Sequence, residues 1–389
     1  MEEWKTYKIG EISEVNKSQY SPKENWQNFL YLDTGSITRN QIDSIQTISL
    51  ATELPSRARR KVVNFDIVYS TVRPNQCHYG ILKNPKTNLL VSTGFAVITV
   101  NQEVANPLFV YYYLTQDYII DALQAIAEQS VSAYPSIKPS DIENVEVYLP
   151  PLNIQNTIAN ILSSLDSKIE LNNRINHNLE QQAQALFSHW LNNCEDKVAI
   201  SELCDNILDY TPITAKRVVA LNSSDVTEGV FAELSYTPIS EIKGQFKKRF
   251  EKGDILYSEI RPRNLHYAYC YFNPMDYIAS TRLMVIRSKS EKLYSSVMLY
   301  QYLQMPKVFE EFTSKTESRS GTFPQGNFKD LSSSIVPYSG DNEEISIILE
   351  SLYKLIWKNI DENKSLSSLR DSLLPILMSG ELKINDLTC

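Results

Sequence analysis

The sequence predicts an α+β chain made by duplication. Two tandem globular domains each lead into a long amphipathic helix able to pack as a coiled coil. Three observations predict this. The first is an internal repeat. Residues 66–79 (DIVYSTVRPNQCHY) and 254–267 (DILYSEIRPRNLHY) agree at eight of fourteen positions at an offset of 188. The same offset carries Ser92-Thr93 onto Ser280-Thr281 and the basic triplet Arg59-Arg60-Lys61 onto Lys247-Lys248-Arg249. A period of about half the chain is a duplicated domain, not a solenoid. The second is strand texture in the front of each half, in short runs such as Ile67-Val68-Tyr69 and Val97-Ile98-Thr99-Val100 between Asn, Pro and Gly turns. The third is apolar spacing of three and four in the rear of each half.

These textures divide the chain into a first globular domain, 1–152, a long helix, 153–195, a second globular domain, 196–341, and a second helix with a tail, 342–389. Within each globular domain a helical piece is expected, at 107–127 and 293–313. Pro150-Pro151 stops the first domain and Asn153 can cap the helix after it. The first stripe runs Ile158, Leu162, Leu165, Ile169, Asn172, Ile175, Leu179, Ala183, Leu186 and Trp190. The second runs Ile345, Leu349, Leu352, Ile356, Asn363, Leu366 and Leu373, closed by Pro375 and Gly380. Asn172 and Asn363 interrupt the stripes and are candidate register-setters.

Composition excludes several classes. The 389 residues carry 38 Lys+Arg against 46 Asp+Glu, a net charge of −8 that argues against a generally cationic coat protein. Only 11 glycines count against Gly-rich nucleotide loops. No apolar run reaches a membrane span and the start shows no secretory signal, so no membrane partner and a cytoplasmic location are expected. The five scattered cysteines, without C-x-x-C, suit reduced thiols and no structural zinc.

The step LPPLNIQ at 149–155, the helix ILSSLDSKIELNNRINHNLE at 161–180 and the tail LLPILMSGEL at 373–382 resemble the DNA-specificity subunit of Type I restriction-modification systems. The resemblance covers the whole chain, although the second half has Tyr338-Ser339-Gly340-Asp341-Asn342 where the first has its Leu-Pro-Pro-Leu step. It implies two target-recognition domains, each reading one part of a bipartite sequence in double-stranded DNA, on two antiparallel coiled-coil helices that relate the halves by a pseudo-two-fold axis and set the spacer. It implies two modification (methyltransferase) subunits as partners, with restriction/translocase subunits in the full complex. It also implies a non-enzymatic chain with no cofactor of its own; S-adenosylmethionine, ATP and Mg would sit on the partners.

The residues agree with a non-catalytic part. There is no G-x-x-x-x-G-K-[ST] loop and no F-x-G-x-G loop. Asn273-Pro274-Met275-Asp276-Tyr277 reads as a strand-to-strand turn, and no candidate metal ligands are found. His78 with Asp66 and His266 with Asp254 could form acid–base pairs; the plainer reading is a strand start and a hydrogen-bonded histidine. Other readings are a DNA methyltransferase or nuclease with unrecognised catalytic residues, and a coiled-coil scaffold without DNA contact.

Positive charge is concentrated twice. Residues 51–98 and 239–290 each carry a local net charge of +5 within the acidic chain. Clustered cations neutralise phosphates and supply most non-specific DNA affinity. The phosphate-binding candidates are Arg57, Arg59, Arg60, Lys61 and Arg73 in the first half, and Lys243, Lys247, Lys248, Arg249 and Arg261 in the second. A side chain present in both halves cannot easily tell two half-sites apart, so base reading is expected where the halves diverge. Those candidates are Gln129, Ser130, Ser132 and Tyr134 in one loop, Ser318, Arg319 and Thr322 in its counterpart, and Arg263 where the first half has Asn75. One helix over 156–191 would span about 54 Å at ~1.5 Å per residue, with the second, about 343–374, of similar length. Half-sites about one duplex turn apart, ~34–36 Å, would then be met on one side of the DNA.

Overall fold

Short β-branched and aromatic runs broken by turn residues can satisfy their backbone only by pairing into sheets. The computed structural model describes residues 4–130, 134–317 and 324–381. Contacts divide it into two units, Met1–Glu170 with Asn363–Cys389, and Leu171–Glu362. The division passes through both long helices, so each unit takes the start of one and the end of the other.

The first unit holds two four-stranded sheets. One is antiparallel, in the order Ser13–Val15, Phe95–Val100, Ile67–Ser70, Tyr79–Ile81. The other runs Gln46–Ile48, Phe29–Leu32, Leu89–Ser92, Ala58–Lys61, with its two middle strands parallel. The second unit repeats both orders strand for strand. Its antiparallel sheet is Cys204–Asn206, Leu283–Ser288, Ile255–Ser258, Tyr267–Tyr269. Its mixed sheet is Thr237–Pro238, Arg217–Leu221, Tyr277–Ser280, Phe246–Lys248, again with a parallel middle pair. Even the irregularity recurs: the pairing of the basic edge strand shifts by one residue in each unit, with Arg59 and Lys247 as the extra residues. The sequence repeat is therefore a repeat of topology. Residues 273–276 do form the expected turn, between Tyr267–Tyr269 and Tyr277–Ser280.

The helical piece expected in each domain is two helices. They are Pro107–Leu114 and Asp117–Glu128 in the first half, and Ser296–Leu303 and Pro306–Glu317 in the second. In the second half the break falls before Pro306, which lacks the N–H needed to continue a helix. The long helices are Leu152–Asn192 and Glu343–Ser379. The first begins one residue before Asn153, which therefore lies within its first turn instead of capping it. The second runs through Pro375 and ends at Gly380, whose φ of +74° suits a glycine after a helix. A Cβ there would also meet the Trp4 ring at 3.0 Å.

Within each unit the two helical stretches run antiparallel. In the first, Arg370 Nη1 donates to Asp166 Oδ1 at 2.8 Å, while Leu162 and Leu377 share one core. In the second, Asn172 Nδ2 donates to Glu362 at 2.8 Å and Asn359 Nδ2 donates to Asn176 Oδ1 at 2.8 Å. The buried stripe follows the expected positions to Asn172 and again at Leu179 and Ala183, and is shifted by one residue at three others. Asn176, Phe187 and Leu191 are buried where Ile175, Leu186 and Trp190 were expected, and Ile175 and Leu186 are exposed. Steps of four residues after Asn172 track the 3.6-residue turn as well as steps of three do, so spacing alone does not choose between them.

The repeat-mate carboxylates are both buried, with different partners. Asp66 accepts from Val63 N–H at 2.7 Å and Thr99 Oγ1–H at 2.7 Å, and burial raises its pKa. Asp254 accepts two hydrogen bonds from Arg287, at 2.6 and 2.8 Å. A carboxyl whose folded pKa is raised stabilises the fold at acid pH and loses that contribution as pH rises through the folded value. Asp66→Asn is thus expected to remove part of the acid-range slope of stability at little cost at pH 7. Asp254→Asn should cost roughly 1 kcal/mol more at pH 7, because it removes the buried, two-hydrogen-bond partner of Arg287 and leaves only the exposed Glu251 at 3.3 Å. Urea unfolding at pH 4 and pH 7 measures both; equal losses at pH 7 would contradict this account.

Candidate nucleic-acid interface

The site grows from a hairpin turn present in both units. Arg73 and Arg261 each take a left-handed backbone, φ +47°, followed by a short 3-10 turn closed by Cys77 (φ +56°) and Leu265 (φ +52°). Such conformations are costly for residues other than glycine and persist only where the surroundings hold them. A buried serine does so in each unit. Ser70 Oγ donates to Val72 O at 2.9 Å and accepts from Val72 N–H at 3.2 Å; Ser258 does the same to Ile260 at 2.9 and 3.1 Å. The arginine backbone N–H then donates across to Pro135 O at 2.9 Å and to Pro324 O at 3.0 Å. The turn is thereby laced to the chain that follows each divergent loop, and isolated bridges Val72–Ser136 and Ile260–Gln325 reinforce it.

The first unit joins this turn to its basic strand through one loop. Thr93 N–H donates to Arg57 O at 2.8 Å, and Gly94 O accepts from Thr71 N–H at 2.8 Å. Arg57 and Arg59 are exposed on that strand and the turn before it. The Arg73 guanidinium stands 5.0 Å from the Tyr134 ring, a cation–π contact that holds it beside the divergent loop. Tyr134 is 60% exposed and Gln129 is exposed. Ser130 is half-buried and accepts from Ser136 N–H at 3.3 Å. In the second unit Lys243, Lys247 and Arg261 are exposed, and Lys247 lies 5.4 Å from the Tyr210 ring. Arg263 is 74% exposed and pairs with Glu317. Ser132, Ser318, Arg319 and Thr322 lie outside the described residues.

Not every expected phosphate contact can serve as one. Lys248 is a correction: its side chain is 3% exposed, its Nζ donates to Leu283 O at 2.7 Å, and Glu259 stands at 3.9 Å. Burial lowers the Lys248 pKa and raises that of Glu259, in each case against their mutual attraction. Its repeat mate Arg60 also turns inward, with Nη2 on Thr93 O at 3.3 Å and Nε buried. Lys61 pairs with Glu24 and stands 5.2 Å from the Trp26 ring. Arg249 is half-buried with a buried Nε. The alternation is that of a strand, in which Arg59 and Lys247 face out and the next residue faces in.

Both histidines have local roles. His78 Nδ1 bonds Ile37 O at 2.7 Å and Thr38 Oγ1 at 3.2 Å, and His266 Nδ1 bonds Thr227 Oγ1 at 2.8 Å. Asp66 and Asp254 bond elsewhere, so the possible acid–base pairs are not hydrogen-bonded as such. Among the described residues no cluster of three His, Cys, Asp or Glu could hold a metal, and no helix is long and apolar enough to cross a membrane. Glu317 and Glu259 were not legible as partners, because no local pattern links them to Arg263 or Lys248.

Two units of one topology, each with an outward basic edge beside a divergent loop, are matched by a family model. The Type I restriction modification DNA specificity domain matches residues 1–181 and 218–365. The chain belongs to this family. The Type I restriction enzyme HindI specificity subunit of Haemophilus influenzae is 34% identical over 216 residues, 56% of this chain and 43% of that subunit. The chain thus matches less than half the length of that relative. The MjaIX specificity subunit of Methanocaldococcus jannaschii is 23% identical over 342 residues, covering 80% of this chain and 76% of that one. The crystal structure of a Type I restriction-modification S subunit from M. genitalium shares the fold at a TM-score of 0.60 and 15% identity, over 97% of this chain and 96% of that one. Membership of the specificity family accounts for the duplication, the paired helices and the doubled basic edge together.

Proposed function

We propose that this chain is the non-catalytic, cytoplasmic specificity subunit of a Type I restriction-modification complex. Each unit reads one part of a bipartite sequence in double-stranded DNA. The helices set the spacer and dock two modification (methyltransferase) subunits, with restriction/translocase subunits joining in the full complex. S-adenosylmethionine, ATP and Mg belong to those partners. The supporting observation is the doubled edge: the strained turns at Arg73 and Arg261 are each laced to the chain that follows a divergent loop, and each unit carries an exposed cation, Arg59 or Lys247, on its basic edge strand. Residues shared by the units position the duplex and residues that differ discriminate bases.

The test is an exchange of residues 1–152 for the equivalent domain of another family member, co-produced with the methyltransferase subunits. Sequencing of methylated host DNA should show one half of the motif replaced and the other intact. A change in both halves, or in neither, overturns the modular reading. The purified chain alone, given S-adenosylmethionine and duplex DNA, should transfer no methyl group.

A further inference from the structure

We infer that Arg263 reads a guanine in the half-site of the second unit, and that Glu317 is the positioning residue that presents it. The inference rests on the specificity reading above and deepens it.

Arg263 lies two residues after the strained Arg261, in the turn laced to the divergent loop, and is 74% exposed. It is where the units differ, since its repeat mate is Asn75. The mate is held differently too: Asn75 N–H donates to Gln124 Oε1 at 3.3 Å, on the helix equivalent to the one that carries Glu317. Arg263 Nε donates to Glu317 Oε1 at 2.7 Å and its Nη2 donates to Glu317 Oε2 at 3.0 Å. This side-on pairing uses Nε–H and one Nη2–H. Of the five guanidinium hydrogens, both on Nη1 and the second on Nη2 stay free, and they form the end-on fork. That fork matches O6 and N7 of guanine in the major groove.

Glu317 ends the helix Pro306–Glu317, whose Phe309 and Phe312 are packed in the core of the unit, so the carboxylate is carried on a fixed element. An open groove of about 650 Å³ lies beside the pair, lined by Arg263, Phe309, Glu310, Thr313, Ser314 and Glu317. An arginine acting only on phosphate gains nothing from a carboxylate at its side, because the pair is then neutral. A base-reading arginine gains orientation, and the carboxylate also disfavours phosphate at that point. The observed pairing therefore suits base reading better than phosphate binding.

The test uses the full chain co-produced with its methyltransferase subunits, with methylated motifs read by sequencing. Arg263→Ala should relax one guanine position of the second half-site, by about tenfold to a hundredfold in discrimination, and leave the first half-site unchanged. Arg263→Lys should relax the same position, because lysine keeps the charge and loses the fork. Glu317→Ala should relax that position less while raising affinity for unrelated duplex. The Arg263→Ala/Glu317→Ala double variant should be no more relaxed than Arg263→Ala, since Glu317 acts on discrimination only through Arg263. An unchanged motif in both Arg263 variants, or full retention by Arg263→Lys, overturns the inference. Relaxation by Arg263→Ala without any in Glu317→Ala removes the positioning role. A wild-type complex with no motif would instead sink the specificity reading itself.

Discussion

Lys247→Ala and Lys248→Ala are expected to fail in opposite ways although the residues are neighbours. Lys248 is enclosed, donates to a backbone carbonyl and faces Glu259 at 3.9 Å. Its removal leaves the Leu283 carbonyl without its donor and the half-buried Glu259 with Arg282 as its remaining cation, at a cost of roughly 2 kcal/mol, below the usual penalty for a broken buried pair because the contact is loose. Lys247 is exposed over Tyr210, so Lys247→Ala should leave stability within about 0.5 kcal/mol. On DNA the order reverses. Lys247→Ala should weaken binding to all duplexes alike and lower the slope of log affinity against log salt by about 0.9. Lys248→Met, which fills the volume without the charge, should leave that slope unaltered. Chemical unfolding and salt titration of duplex binding measure the two effects. A reduced slope in Lys248→Met would mean that the ammonium reaches phosphate and that its enclosure opens on binding.

This pair marks how far the sequence could be read. The duplication fixes that Arg59-Arg60-Lys61 and Lys247-Lys248-Arg249 are equivalent, and their charge locates a basic edge in each half. It does not say which of three consecutive cations faces water. That follows from strand phase, which is set by the pairing of Ala58–Lys61 and Phe246–Lys248 with their neighbouring strands. The long helices were legible for the same reason the edge was, because periodicity is local. Their buried face was legible at Leu179 and Ala183 as well as up to Asn172. Beyond it Ile175 and Asn176 both satisfy the spacing, and the partner helix selects the asparagine because Asn359 and the Ile356 carbonyl can satisfy its amide. Pairs such as Arg263–Glu317, 54 residues apart, leave no pattern in sequence at all.

An insertion placed in both long helices together is expected to lengthen the spacer and keep both half-sites. In the second unit Asn172 meets Glu362 and Asn176 meets Asn359. In the first unit Asp166 meets Arg370. Four residues after Glu170 and four after Glu362 leave all three pairs intact, because each pair lies wholly on one side of the cuts. An insertion in one helix alone would offset them and is expected to cost stability. The paired insertion adds about 6 Å of helix at ~1.5 Å per residue. At ~3.4 Å per base pair along the duplex that is about two base pairs. Both half-sites should be retained in the methylated motif with a spacer longer by about two, and thermal melting of the variant should match the parent. Four residues also turn the helix about 40° beyond a full revolution, so activity should fall. Seven residues, two turns of a coiled coil at 3.5 residues each, should restore much of it at a spacer longer by about three. Methylation at the original spacer by either variant would mean that contacts among the subunits, and not the helices, hold the two half-sites apart.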